Sequence, residues 1–156
     1  MAEFLDHLWV FFISMFPIVE LRGAIPVGAA IGLPLWSNYL MSVVGNFLPV
    51  PFILLFIRRI LSWMKTTRHF AKIALWLEEK AEKNTAKVMK YATFGLFLFV
   101  AIPLPGTGAW TGALVAALVN MRMKYALPSI LLGVLAAGVI MSLASYGVVG
   151  IFNIFL

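Results

Sequence analysis

The sequence predicts an all-α integral membrane protein, because of its composition and the lengths of its apolar segments. Of the 156 residues, 63% are apolar and 12% are charged, and the mean hydropathy is +1.01. A soluble domain, by comparison, carries about 25% charged residues. Apolar segments recur throughout the chain, so we expect a single membrane domain over residues 1–156 with no soluble appendage.

Composition also excludes several classes of function. There is no cysteine, and His7 and His69 are far apart in the sequence, so we expect no metal site, no cofactor and no enzymatic activity. The net charge of +6 is concentrated in a few segments, which indicates membrane topology and no nucleic-acid partner. Glu3 and Asp6 stand where a signal peptide has basic residues, so we expect the N-terminus to belong to the mature protein.

The first two apolar segments are each too short to cross a bilayer. Residues 4–16 and 23–35 contain 13 residues each, whereas a crossing helix needs about 20. Pro17 lies between them and Pro26 lies in the second, and proline interrupts helices. We therefore predict a re-entrant helical hairpin with breaks at Pro17 and Pro26.

Two longer segments predict membrane-crossing helices. Residues 36–57 are long enough to cross, with a kink expected at Pro49 and Pro51. If residues 125–156 formed one continuous helix, it would be about 48 Å long, which is longer than the roughly 30 Å hydrocarbon core. We expect this helix to cross once and to break or bend near one of three glycines: Gly133, Gly138 or Gly147.

A second hairpin precedes the last crossing. Residues 92–102 and 109–121 are again too short to span. The sequence "PLPGTG" separates these arms, and we expect the break at Pro103, Pro105 and Gly106.

One layout is therefore used twice, in repeat 1 (residues 1–60) and repeat 2 (residues 91–156). A shift of 84 to 86 positions superposes landmarks such as Pro17 and Pro103. Each repeat crosses the membrane once, so the repeats are expected to be inverted, with the two hairpin breaks meeting around a cavity near the midplane. Interrupted short segments in matching positions are typical of transporter binding sites.

The positive charges predict which side of the membrane each loop occupies. Residues 61–90 place apolar and basic residues on opposite faces of a helix, which predicts an amphipathic helix on the membrane surface; a solvated linker helix is the alternative. Eleven of the twelve Lys and Arg residues lie in 58–91 and 121–124. The positive-inside rule then makes these segments cytoplasmic, with both termini on the outer side of the membrane.

Glu20 and Arg22 are the ionisable residues at hairpin depth. Such residues are costly in a membrane unless paired or hydrated, so a function is the default hypothesis. Three interpretations stay open: a structural ion pair at the hairpin tip, an Arg22 that binds phosphate or carboxylate, and a Glu20 that couples transport to protons.

The second break predicts the rest of a substrate site. Proline and glycine free backbone N–H groups at the start of "AWTGALVAAL", where the positive end of a helix dipole attracts anions. A plain helix breaker is the alternative interpretation. With Arg22, the predicted substrate-binding residues are Thr107, Gly108, Trp110 and Thr111.

Two motifs carry a family resemblance: "VELRGAIPVGAAIGLP", and "AEKNTAKVMKYATFGLFLFVAIPLPGTGAWTGALVAALVNM" after it. They resemble the small multi-drug export protein family of prokaryotes over nearly the whole chain. The family's predicted fold is similar to that of DedA-type (VTT domain) membrane proteins, which implies two re-entrant hairpins and proton-driven translocation of undecaprenyl phosphate or phospholipid scrambling. DedA-type proteins typically carry an arginine in the second hairpin, whereas this chain has no charge between Tyr91 and Met121.

We therefore expect a small secondary transporter or translocase, proton-coupled through Glu20, that moves a lipid-linked phosphate or another amphipathic substrate. An exporter of small cationic drugs and a non-transporting structural or binding membrane protein are the alternatives. The expected partners are membrane lipids and further copies of the chain in a homodimer or higher homo-oligomer.

Overall fold

The fold is all-helical over the residues that the structure describes. The computed structural model describes residues 2–66, 86–104 and 106–155, and no strand occurs in these ranges. They form seven helices: α1 Ala2–Met15, α2 Glu20–Ala30, α3 Leu35–Phe47, α4 Pro49–Thr66, α5 Ala86–Ala101, α6 Ala109–Leu118 and α7 Met123–Phe155.

Among the described residues, two helical segments are long and apolar enough to cross a membrane. One is Leu35–Met64, which joins α3 to α4, and the other is Met123–Ile151 in α7. The expected interruption of the first falls at Leu48, directly before Pro49. Proline favours the first position of a helix because its missing N–H has no helical partner there.

The break expected in the last crossing helix was wrong, because α7 is helical through all three glycines. Two of them serve packing instead. A methyl group on Gly133 would lie 2.6 Å from the Val100 Cβ atom, and one on Gly138 would lie 2.7 Å from the Tyr39 ring. These glycines let α5 and α3 approach α7 closely.

The first hairpin consists of α1, a turn over residues 16–19, and α2. The turn contains Pro17, as expected. Pro26 was expected to break the chain but lies inside α2. It removes only the N–H that would bond the carbonyl of Arg22. The returning arm begins at Glu20, earlier than predicted, so Glu20 and Arg22 belong to its first turn.

The second hairpin consists of α5, α6 and a break between Ala101 and Ala109, in which residues 102–104 and 106–108 are described. The start of α6 at Ala109 agrees with the prediction. The predicted surface helix was placed over residues 61–90, of which 67–85 lie outside the described residues. Residues 61–66 extend α4, and residues 86–90 begin α5.

Both returning arms end in the same way. Gly32 has φ 84° and Asn120 has φ 52°, and each is followed by a 2.9 Å backbone bond, from Leu33 N–H to Gly28 and from Met121 N–H to Ala116. These are Schellman endings, in which a left-handed residue turns the chain and satisfies the last helical carbonyls.

A side chain from the opposite half then binds each ending. The hydroxyl of Tyr146, on α7, donates to the carbonyl of Leu33 at 2.6 Å. The guanidinium of Arg58, on α4, donates to the carbonyl of Met121. Leu33 and Met121 are 88 positions apart, as are Arg58 and Tyr146. The contact pattern is therefore reciprocal between the halves.

The matching register is 88 positions for the returning arms and crossing helices, whereas shifts of 84 and 86 were predicted for them. At 88, buried positions coincide in pairs, including Ala24 with Gly112 and Gly45 with Gly133. The entering arms match at 86, as predicted from Pro17 and Pro103. The chain between matched positions of the two arms is therefore two residues longer in the second hairpin.

The core lies where the returning arms meet the crossing helices. α2 packs on α7 and α4 packs on α6, while α1 lies along α3 and α5 along α7. Small residues on α6 allow this close approach, and fully buried Leu and Ile side chains from the other helices fill the centre. The tertiary contacts place the two hairpin breaks side by side.

The glycine packing predicts opposite effects for one substitution at two places in α7. Gly133→Ala forces a methyl group against Val100, and we expect it to lower the free energy of unfolding by about 1–3 kcal/mol. Gly147 has no atom within 4 Å of an added methyl group, so Gly147→Ala is expected to raise it by about 0.5–1 kcal/mol. Thermal unfolding in detergent compares them, and equal effects would contradict the packing account.

Candidate functional site

Glu20 is the buried acid at the meeting point of the two hairpins. It is 4% exposed, and its Oε1 atom accepts the backbone N–H of Trp110 at 3.1 Å, with the N–H of Ala109 also holding the carboxylate. These N–H groups belong to the first turn of α6 and have no partner within the helix. Glu20 thus binds the positive end of a helix in the other hairpin.

The backbone at Glu20 and Gly108 is adapted to this contact. Glu20 has φ 51°, a left-handed conformation that costs a non-glycine residue about 1–2 kcal/mol. Gly108 has φ 138°, and a methyl group there would collide with the Glu20 carboxylate. Glycine is required at 108 for both its conformation and its lack of a side chain.

Arg22 binds the other side of the same break. Its guanidinium donates to the carbonyls of Val100 (3.4 Å), Ile102 (3.3 Å) and Leu104, where α5 ends. These carbonyls lie at the negative end of the helix dipole, where a cation is favourable. The hydroxyl of Thr107 lies 2.9 Å from the carbonyl oxygens of both Ile102 and Leu104, so it shares these acceptors with Arg22.

The two charges therefore bind different helix ends. No ion pair joins Glu20 directly to Arg22 in the described part of the chain; the carboxylate holds the start of α6 and the guanidinium holds the end of α5. We call this arrangement, Glu20 and Arg22 with the break over residues 102–108, the cross-hairpin clamp. Each charge has the sign that the helix end it binds requires.

Trp110 fixes the same junction from the second hairpin. Its indole N–H donates to the carbonyl of Met15 at 3.1 Å, at the end of α1. Each break is thus held by side chains of the other hairpin. These reciprocal contacts satisfy backbone groups at both breaks.

The structure brings most of the predicted site together. Arg22, Thr107, Gly108 and Trp110 all lie at the clamp with Glu20, and Thr111 follows Trp110 as a half-buried residue of α6. Of the predicted breaking residues, Gly106 lies in the break with φ 81° and Pro103 near its start; Pro105 lies outside the described residues. Substrate binding and proton coupling by these residues stay predictions.

Sequence reasoning treated the acid and the anion site as separate features. The N-terminus of α6 was expected to attract an anion, and Glu20 supplies that anion from within the chain. Sequence reasoning also missed Asn38 and Tyr146, which join α3 to α7 through a 3.0 Å hydrogen bond. An asparagine inside an apolar crossing segment was the available signal.

No cluster of three or more potential metal ligands occurs among the described residues. Among the buried side chains of these residues, the polar groups are carboxylate, amide and hydroxyl groups, and several of them bind backbone. What this site offers a ligand is a positive guanidinium, a buried carboxylate and helix-end backbone groups.

Comparison with known families matches the chain to a family model. The model is described as "Putative small multi-drug export protein", and it matches residues 20–140, from Glu20 through the second hairpin break into α7. The chain belongs to the small multi-drug export protein family. No curated protein and no solved structure matched the chain. Every residue of the cross-hairpin clamp lies within the part that this family shares.

The clamp predicts an unusual cost for a methyl group at Gly108 in this family member. Gly108→Ala imposes backbone strain and displaces the Glu20 carboxylate, and we expect it to lower the free energy of unfolding by about 1–3 kcal/mol or more. Gly95→Ala is the matched control, because nothing lies within 4 Å of an added methyl group on that helical glycine. Thermal unfolding in detergent measures both; similar stabilities would contradict the clamp geometry.

Proposed function

We propose that this family member is a plasma-membrane transporter, not an enzyme, that moves an amphipathic substrate past the cross-hairpin clamp. The observation that carries the proposal is the clamp itself, in which opposite charges of one hairpin hold the broken end of the other. Charged groups inside a membrane protein typically mark substrate or ion pathways. The family description, a small multi-drug export protein, supports transport.

Inverted repeats with re-entrant hairpins would give this transporter its architecture. Two segments are long enough to cross, whereas Tyr91–Ala101 and Ala109–Leu118 are short apolar helices. The reciprocal contacts of Tyr146 with Leu33 and of Arg58 with Met121 support a twofold relation between the halves. Broken helices that meet at the interface of such repeats are the usual binding site in secondary transporters.

The clamp is asymmetric, and this asymmetry supports a two-state mechanism. At the 88-position register, Glu20 corresponds to Gly108 and Arg22 corresponds to Trp110, so only one half supplies charges. A proton on Glu20 would neutralise the carboxylate and weaken its hold on the N-terminus of α6. In this proposal, protonation releases the second hairpin and exposes the site to the other side of the membrane.

An amphipathic anion, such as a lipid-linked phosphate of the undecaprenyl phosphate class, fits the Arg22 side of the clamp. Arg22 is half-buried, and a guanidinium can exchange carbonyl partners for the stronger, bidentate contact with phosphate. The two hairpin breaks carry exposed apolar side chains, including Phe16, Ile18 and Leu104. They would contact the substrate's hydrocarbon chain while Arg22 binds its headgroup.

A small cationic drug is the second candidate substrate, and Glu20 is the observation that favours it. Its buried carboxylate would bind a cation if the second hairpin moved away. The family description favours drug export as well. The two candidates differ in the residue that contacts the substrate, which makes them separable by mutation.

The aromatic side chains support the proposed multi-pass topology. Trp36 is exposed at the start of α3, and Trp63, Tyr91 and Tyr125 are exposed toward the ends of α4, α5 and α7 that carry the basic residues. Tryptophan and tyrosine favour the membrane interface. We propose that residues 58–91 and 121–124 are cytoplasmic and that both termini lie on the outer side of the membrane. We also propose that membrane lipids are the partners and that a homodimer seals the substrate path.

Transport by reconstituted protein tests the proposed function with two probes, undecaprenyl phosphate and a quaternary ammonium dye. With an imposed proton gradient, we expect lipid movement to be lost in both Glu20→Gln and Arg22→Ala, because one removes the proton site and the other the headgroup contact. Loss of dye export in Glu20→Gln alone would favour the drug candidate.

Matched variants control for charge and folding. Glu3→Gln and Arg122→Ala remove the same charges at exposed positions and are expected to keep wild-type transport. Elution as a single species in detergent shows that each variant is folded. Wild-type protein that moves neither probe would contradict transport of these classes and favour a structural or binding role. Unchanged flux in both site variants would contradict the site.

A further inference from the structure

Buried polar side chains are concentrated on α1, on α3 and on the C-terminal half of α7. They lie on three helices that pack together, α1, α3 and α7, and apart from the half-buried Tyr146 each is at most 4% exposed. We call these residues the polar track: Ser14, Asn38, Ser42, Asn46, Ser142 and Tyr146.

Hydrogen bonds join most of the track. The Ser14 hydroxyl donates to the Ser42 carbonyl at 2.5 Å, and the Ser42 hydroxyl lies 3.4 Å from the Asn38 amide oxygen. The Asn38 amide nitrogen donates to Tyr146 at 3.0 Å. Tyr146 in turn reaches the carbonyl of Leu33, where α2 ends. Asn38, Ser42 and Asn46 follow each other at four-residue intervals, on one face of α3.

Two buried atoms of the track have no hydrogen-bond partner: Asn46 Oδ1 and Ser142 Oγ. A buried polar atom without a partner costs about 1–3 kcal/mol, and in folded proteins such atoms are usually satisfied by buried water. Ser142 lies one turn before Tyr146 on α7, so it extends the polar face that Tyr146 begins.

The fold does not require these polar residues. At the matching register, 86 positions for α1 and 88 for α3 and α7, the counterparts of the first five are apolar and buried: Val100, Ala126, Ile130, Val134 and Leu54. The counterpart positions are thus packed in an equivalent way without polar side chains. The counterpart of Tyr146 is Arg58, which is also polar and makes the equivalent contact with Met121. This sixth pair therefore does not distinguish the two sets of positions.

The track leads to the clamp. Ser14 directly precedes Met15, whose carbonyl accepts the indole N–H of Trp110, and the backbone N–H of Trp110 donates to Glu20. At its other end, Tyr146 reaches Leu33 beside the C-terminus of α2. The hydrogen-bonded part of the track therefore extends from the end of α2 to Ser14, the residue before the Trp110 contact at Met15.

We propose that the polar track binds water and forms an aqueous route along α1, α3 and α7 to the Glu20 site. In this proposal, water bound at Asn46 Oδ1 and water bound at Ser142 Oγ satisfy these two atoms. The proposal that the track is hydrated depends only on its hydrogen bonds and on its two unpartnered atoms. Its use, to bring water or protons to Glu20 during transport, rests on the proposed function.

Single cysteines test the route, since the natural chain contains none. Ser42→Cys and Ser142→Cys are nearly isosteric, and their counterparts Ile130→Cys and Leu54→Cys are matched controls at equally buried positions. In protein embedded in liposomes, we expect a small charged methanethiosulfonate to modify both track cysteines and to leave both controls unmodified. No modification of any of the four, or equal modification of all, would overturn the proposal.

Asn46→Val, which copies Val134 of the other half, gives a second and independent result. We expect it to keep or raise thermal stability, because an unpartnered buried oxygen is removed. Combined with Ser142→Cys, it is expected to abolish modification of the introduced thiol. A large loss of stability with unchanged labelling would show a purely structural asparagine and overturn the route.

Transport measured on the same variants separates this proposal from the proposed function. If Asn46→Val loses both labelling and proton-driven flux, the route serves transport. If labelling follows the prediction but wild-type protein moves neither probe, the proposed function fails and the hydrated route stands. A third outcome has two parts: Asn46→Val keeps its flux, and the reagent does not modify Ser42→Cys or Ser142→Cys. In that case the route fails and the proposed function stands.

Discussion

The arrangement of both hairpins depends on satisfying the backbone groups of a broken helix where water is scarce. The break over residues 102–108 leaves carbonyls at the end of α5 and N–H groups at the start of α6, and in a bilayer each such group costs several kcal/mol when unpaired. Glu20 and Arg22 satisfy the two ends with the sign of charge that each end favours. An uncharged hairpin tip in the first half would leave the second hairpin without these partners.

Other local features follow from this constraint. The left-handed backbone of Glu20 aims its carboxylate at α6, and Gly108 leaves space for it. Trp110 returns a bond to the end of α1, so the hairpins hold one another. Strained residues persist only where the surrounding contacts compensate for the strain, and such residues cluster at functional sites. The same contacts that stabilise the closed arrangement would have to change in an alternating mechanism.

Segment lengths and proline positions predicted the helices well, because the need for about 20 residues per crossing sorts the chain without any knowledge of packing. The register between the halves could not be predicted, because small residues recur every four positions in both returning arms, so a shift of one turn gives a similar match. Pro26 and the glycines of α7 were misread as breaks, since helices tolerate both where neighbouring helices pack closely. That Glu20 fills the anion site of the other hairpin depends on a tertiary contact between residues 90 positions apart, which no local pattern encodes.

The charge-exchanged variant, Glu20→Arg with Arg22→Glu, tests the cross-hairpin clamp most directly. An ion pair between the two residues would survive exchange, whereas the clamp would place a cation at the N-terminus of α6 and an anion against the carbonyls of α5. The measurement is the thermal unfolding midpoint in detergent, beside Glu20→Gln and Arg22→Ala. The clamp predicts that the exchanged protein is less stable than either single variant. A midpoint close to that of the natural protein would contradict the clamp.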